Sequence, residues 1–346
     1  MTESDAERAL HTDAGAGTPA SLPRLVVSSV VRSSHQGESH GGVYIVDLAS
    51  GSCDQVLDWD DASISWEGRG ADRGLRGIAF HDGLVYLAAS DEIFVYDAAF
   101  RRQGSFRNAY LKHCHEITVE GDVLYATSTG FDSVLACDLG AGAFTDGICL
   151  RYDAVNEWRR KLAQAAPALV SVSRPTPRLT RFDPSRPGGP APGDTTHVNN
   201  VARHQGATLA CGTRLARVVA VRGDALVTYA RVPFGSHNAR PFRDGILMNH
   251  TRSDRICYLS RRGKILRSWP IVRYARDDLE NAALPEDQAR QAFGRGLAVL
   301  DDERFVGGSS PATVSLYQFD RPEPVVSVNL TKDVRNAIHG LEVWPL

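Results

Sequence analysis

The chain has 346 residues, 42% of them hydrophobic and 23% charged, with a formal net charge of −2. That balance supports a sizeable core and lacks the basic excess that generic nucleic-acid binding requires. No apolar run approaches the roughly 18 residues of a membrane span, so membrane and nucleic acid are not expected as partners.

Residues 1–22 are rich in Ala, Gly, Thr, Ser and Asp without periodicity, which predicts a disordered tail ahead of a single domain over 23–346. Met1-Thr2-Glu3-Ser4-Asp5 is acidic and has no apolar segment, so no secretory leader is expected. The six cysteines form no CxxC pair and read as reduced thiols of a cytoplasmic protein. Alternation begins at Leu25-Val26-Val27, and Gly42 to Asp47 and Gln55 to Trp59 follow as strands.

From Arg76 the text repeats itself. Arg76-Gly77-Ile78-Ala79-Phe80 and His115-Glu116-Ile117-Thr118-Val119 each open a strand, then a turn with Asp and Gly, then a second strand. Both continue into a third strand, at Ile93 to Asp97 and Val134 to Asp138, and a weaker fourth. Related openings recur at Asn199-Asn200-Val201, Asn238-Ala239-Arg240, Arg295-Gly296-Leu297 and His339-Gly340-Leu341. The step is 39 residues from 76 to 115 and again from 199 to 238, close to the ~40–50-residue period of four-stranded blades.

Two insertions interrupt the rhythm. Val155 to Leu162 reads as a short helix, followed near 173–195 by a Pro-rich stretch unsuited to helix or interior strand. It is placed as a loop able to cover the site. Pro285 to Ala292 reads as a second helical insert, with Pro in its first turn.

The last repeat has one strand and the N-terminal segment lacks one. Joining them predicts an all-β, six-bladed β-propeller, closed by pairing of the C-terminal strand with the N-terminal blade, so that no sheet edge is left open.

In such a ring the blade openings meet at one mouth of the central channel. Here they bring together His115, His197, His237 and His339, with Arg76, Arg240, Arg295, Asn199, Asn200, Asn238 and Glu116. Four converging imidazoles repel when protonated and leave lone pairs unpaired when neutral, so a shared divalent transition metal is expected, Fe(II) first and Zn, Cu or Mn as alternatives. The arginines present planar donor pairs for an anionic substrate. Glu116 and Glu342 are placed either as ion-pair partners of the arginines or as groups orienting the histidines, and Asn249-His250-Thr251 as a surface turn.

The segments CHEITVEGDVLYAT, THVNNVARHQG, FGSHNARPFRDGIL, FGRGLAVLDDERFVGGSS and IHGLEVWP resemble a little-characterised family of bacterial propellers of unassigned activity. More distantly the blades resemble NHL-type and gluconolactonase-type propellers, though His and Arg stand where the latter place carboxylates. The stretch Gly245 to Trp269 is similar to blades of bacterial arylsulfotransferases, which implies a channel histidine as nucleophile. The leading expectation is a metal-dependent enzyme of oxygenase, oxidoreductase or hydrolase/lyase type, with the four histidines as ligands and catalytic groups. Metal-free group transfer through a histidine and a non-catalytic binding propeller are the alternatives.

Overall fold

The computed structural model describes residues 22–35, 37–60, 74–165 and 176–346. The predicted tail therefore lies outside the described residues except for Leu22, which packs on the core.

Six antiparallel sheets form the ring. Five follow chain order, with innermost strands Ile78–His81, Ile117–Glu120, Val198–His204, Ser236–Phe242 and Arg295–Val299, which define blades 1 to 5. Blade 6 is built from both ends. Its inner strand is Asn336–Val343, and Arg24–Val31, Gly42–Asp47 and Ser52–Asp58 complete it. Leu25↔Val343 through Val31↔Asn336 are paired, so the expected closure is present. Trp344 locks it. Its N–H reaches the Arg24 carbonyl at 2.9 Å, and its ring stacks on Phe100 and meets Phe80 of blade 1 edge-on.

The core lies between neighbouring sheets, because alternate strand residues face alternate sides. Between blades 4 and 5, for example, Phe242, Trp269, Phe305 and Tyr317 pack together. Blade 2 carries a fifth, outermost strand, Arg178–Phe182, inside the Pro-rich insertion. The prolines flank this strand, and as an edge it tolerates them.

From Asp183 onward the insertion is tied to the connection between blades 1 and 2 and to blade 2, and at its end Asp194 reaches His197. Asn108 Nδ2 donates to the Pro184 carbonyl at 3.1 Å, and the Gly193 N–H to that of Gly130 at 2.8 Å. A helix occupies Ala154–Ala165 as expected, but Pro285 to Ala292 form only a turn at Pro285. Tertiary bonds of Arg290 and Gln291 replace helical ones there.

Where the inner strands of blades 3 to 6 reach the mouth, their register slips. The shifts fall between Val198 and Asn200, His237 and Arg240, and Arg295 and Leu297, and opposite His339. Such bulges turn side chains out of the pleat. Asn238 and Gly296 take positive φ there. At Gly340 the blades come closest: an added Cβ would lie 2.0 Å from the Arg76 carbonyl oxygen.

Candidate functional site

His115, His197, His237 and His339 all reach the mouth region, but as separately held rings. The His115 Nδ1–H points to the His113 carbonyl at 2.8 Å and Thr129 Oγ1 at 2.9 Å. Its Nε2 accordingly accepts Arg76 Nη1 at 3.2 Å. His197 stands 5.4 Å from the His115 ring, centre to centre, and its Nδ1 is held by Asp194 at 2.9 Å. His237 donates from Nδ1 to the Gly235 carbonyl at 3.2 Å. The Nε2 atoms of His237 and His339 are buried without a partner among the described residues.

Three of these imidazoles are neutral at physiological pH. Burial pushes His115 well below the ordinary histidine value, with Arg76 and His197 adding to the effect. Burial does the same to His237, beside Arg295 and His197, and to His339, beside Arg295 and Arg76.

Around them stand cations. Arg76 is buried against His115. Arg295 lies with its guanidinium carbon 4.8 Å from the centre of the Phe293 ring, and makes no hydrogen bond or ion pair among the described residues. Arg32 covers the same ring at 4.4 Å, also without a carboxylate partner among the described residues. Arg290 approaches it at 5.2 Å but is tied to Asp254 at 2.6 Å. Phe293 thus gathers three guanidiniums, with His237 at 6.4 Å. Burial and then the neighbours Arg290 and Arg76 bring Arg32 down to about 10. Burial, Arg32 and Arg76 push Arg295 well below its ordinary value.

Further down the channel lies an acidic layer. Glu116 accepts from Asn200 Nδ2, from Asn238 Nδ2 at 3.4 Å and from Arg240 Nη2. Arg240 also meets Glu342 at 3.6 Å. Burial raises Glu342 to about 7 against the pull of Arg240. Glu116 therefore serves Arg240 and two asparagines, not a histidine, and Arg240 is spent on Glu116 and Glu342 rather than offered to the mouth. Asn199 is buried, and neither polar atom of its amide has a partner among the described residues. Asn249, expected in a surface turn, is buried in a strand and donates to Asn238 Oδ1 and the Gly296 carbonyl, each at 3.1 Å.

These residues do not fit the expected divalent metal. Among the described residues no group of three or more His, Cys, Asp or Glu side chains is placed to hold one. Asp194, which holds His197, is shared with Arg214. A dication would also stand in the field of Arg32, Arg76 and Arg295, which already suppresses protonation of the imidazoles.

Four contributors were not legible as site residues: Arg32, Phe293, Asp194 and Asp132. Buried Asp132 accepts the N–H groups of Thr195, Thr196 and His197 at 2.8–3.1 Å, which fixes the entry of blade 3. The only signals in the text were Phe293 two residues before a blade opening and Asp194 three residues before His197.

No family model matches the chain, and no curated protein matches it in sequence. Solved structures do resemble it. A protein of unknown function from Bacteroides caccae is 10% identical with a TM-score of 0.51, over 92% of this chain and 98% of that one. A streptogramin B lyase is 13% identical with a TM-score of 0.40, over 72% and 70%. BamB from Moraxella catarrhalis is 11% identical with a TM-score of 0.39, over 90% and 89%. At these identities the Bacteroides caccae likeness, with a TM-score above 0.5, speaks to the fold alone; the six blades are those of the sheets described above.

Proposed function

We propose that this protein binds a small anionic molecule at the arginine-lined mouth of its channel and acts on it through a neutral imidazole, by proton or group transfer. The observation that carries the reading is the pair Arg32 and Arg295. Both cover Phe293, and both lack a carboxylate among the described residues. An enclosed cation left without a counter-ion is costly, and a bound anion removes that cost. Beside the pair, His237 and His339 present Nε2 atoms without partners. A neutral imidazole with an open lone pair can take a proton or attack an electrophile, while adjacent guanidiniums stabilise charge developing on a transferring group. Arg76 holds His115 in place and adds to the field.

Low-millimolar sulfate or phosphate should raise the melting temperature, because a ligand specific to the folded state stabilises it by mass action. The gain should shrink sharply in Arg295→Met and Arg32→Met. Such salts also stabilise proteins generally, so the decisive quantity is the wild-type-minus-variant difference at matched anion. A difference of zero for both arginines refutes the anion site. The catalytic half is tested with activated aryl phosphates and sulfates, following phenol release by absorbance. Turnover that survives both His237→Ala and His339→Ala would remove the imidazoles from the chemistry.

A further inference from the structure

His237 has one ring nitrogen with a fixed role and one left open. Its Nδ1 faces the Gly235 carbonyl oxygen, which can only accept, so Nδ1 carries the proton and Nε2 is a bare lone pair. The residue is 4% exposed, and that Nε2 has no partner among the described residues. A buried acceptor without a donor is rare in folded proteins. The guanidiniums beside it have the opposite character: Arg32 and Arg295 are all donor and no acceptor. Phe293 holds the two kinds together, 4.4 Å and 4.8 Å from the guanidinium carbons and 6.4 Å from the His237 ring. A ligand that engages both kinds of group must accept at the arginines and donate at His237.

We infer that the site selects an oxyanion bearing its own O–H donor, such as a hydrogen phosphate or an α-hydroxy carboxylate, over oxyanions that only accept. This rests on the anion reading above and narrows its substrate class. His115 does not supply the discrimination, because its Nε2 already accepts from Arg76. The charged or titratable groups acting on His237 include Arg295, His197, Arg32 and His339. Burial first, then Arg295, His197 and Arg32, holds it unprotonated, so the lone pair persists at neutral pH. In acid, Nε2 gains a proton, becomes a donor, and the preference should vanish.

The test uses the full chain and calorimetric titration at pH 8, where inorganic phosphate is mainly a dianion like sulfate yet keeps one O–H. Phosphate should bind at least about tenfold tighter than sulfate, the factor expected when one buried hydrogen bond goes unmade. Glycolate should exceed acetate in the same way. In His237→Phe the gap should close while sulfate binding remains. If that variant does not fold, His237→Gln should narrow the gap, since its amide can turn a donor toward sulfate. Wild-type protein that binds sulfate as tightly as phosphate overturns this inference and leaves the anion site standing. Wild-type protein that binds none of the four anions overturns both.

Discussion

Removing Arg32 should stabilise the ligand-free protein, which is unusual for a partly buried residue in contact with an aromatic ring. The energy follows from the charge. Burial, Arg290 and Arg76 bring its guanidinium from 12.5 to about 10. The unfolded chain binds that proton more tightly, so keeping the cation charged in the folded state costs ~3 kcal/mol. The residue as a whole is only half-buried, and solvent screening reduces the figure to about 1–2 kcal/mol. Methionine keeps most of the apolar stem that packs on Phe293 and gives up the guanidinium–ring attraction, about 0.5–1 kcal/mol. Arg32→Met should therefore gain about 0.5–1 kcal/mol in urea unfolding at pH 7, at low ionic strength and without sulfate or phosphate. Urea is needed because guanidinium chloride would screen the repulsion. With millimolar phosphate present the order should reverse, as the wild type recovers the energy through its ligand. A loss of 1 kcal/mol or more in anion-free buffer would mean that Arg32 is a structural cation, and the argument from uncompensated charge would fall.

Other expectations bear on the layers around this pair. Glu116→Ala leaves Arg240 with only Glu342 and removes an acceptor from Asn200 and Asn238; breaking a buried pair should cost about 3–5 kcal/mol, measured by urea unfolding. Deleting 339–346 removes most of the strand paired to Arg24–Val31, and should give insoluble or strongly destabilised protein; a monomeric truncation with unchanged melting would contradict the closed ring. Because His115, His237 and His339 have folded pKa values below the unfolded one near 6.5, stability should be full above that pH and fall as the pH drops through it; His115→Gln, His237→Gln and His339→Gln should each flatten the decline in melting temperature. Glu342, raised from 4.5 to about 7, works the other way: its contribution should be lost as pH rises from 4.5 toward 7, and Glu342→Gln should remove that slope. Chelator treatment should leave melting unchanged, and stoichiometric metal in purified protein would overturn the donor-set argument.

The architecture was legible because each blade repeats a pattern that local chemistry enforces. A short apolar strand, a polar turn that often carries Asp and Gly, and a second strand recur, at a 39-residue step where no insertion intervenes, and register within such a sheet is tied to which face is buried. The split blade was legible for the same reason, since one missing strand at each end has one economical solution. The mouth was legible only as a set of names. What gives the histidines their states is the main chain: the partners are the carbonyls of His113 and Gly235, two residues upstream of His115 and His237. Every residue has a carbonyl, so nothing in the letters marks these two. Arg32 was hidden differently. It follows the second strand of blade 6 rather than opening a blade, and only the ring brings it to Phe293. Of the two partners the sequence left open to Glu116, an arginine or a histidine, the structure selects Arg240, which reaches it from 124 residues away.

The two layers also answer the objection that enclosed arginines are merely structural. Where this channel needs a cation neutralised, it supplies the means: Arg240 has Glu116 and Glu342, one of them contributed by the residue next to His115. The repeat positions equivalent to Glu116 in blades 1, 5 and 6 are Gly77, Gly296 and Gly340. Gly77 and Gly340 leave no room for a side chain, since an added Cβ would meet main-chain atoms at 2.6 Å and 2.0 Å; at Gly296, φ is positive. A carboxylate at the position that follows Arg76 or His339 is therefore sterically barred, and one at the position that follows Arg295 is strained. Glycine closes the blades tightly there and keeps the mouth positive. Uncompensated charge lowers stability in the free protein, and the attraction of Arg32 and Arg295 to one phenyl ring returns only part of that cost. On the reading proposed above, a ligand of opposite charge supplies the rest. The converse substitution is informative: Phe293→Glu, placed between the two guanidiniums, should stabilise the free protein and abolish its response to phosphate. If phosphate still raised its melting temperature by the wild-type amount, the anion would be binding somewhere other than this mouth.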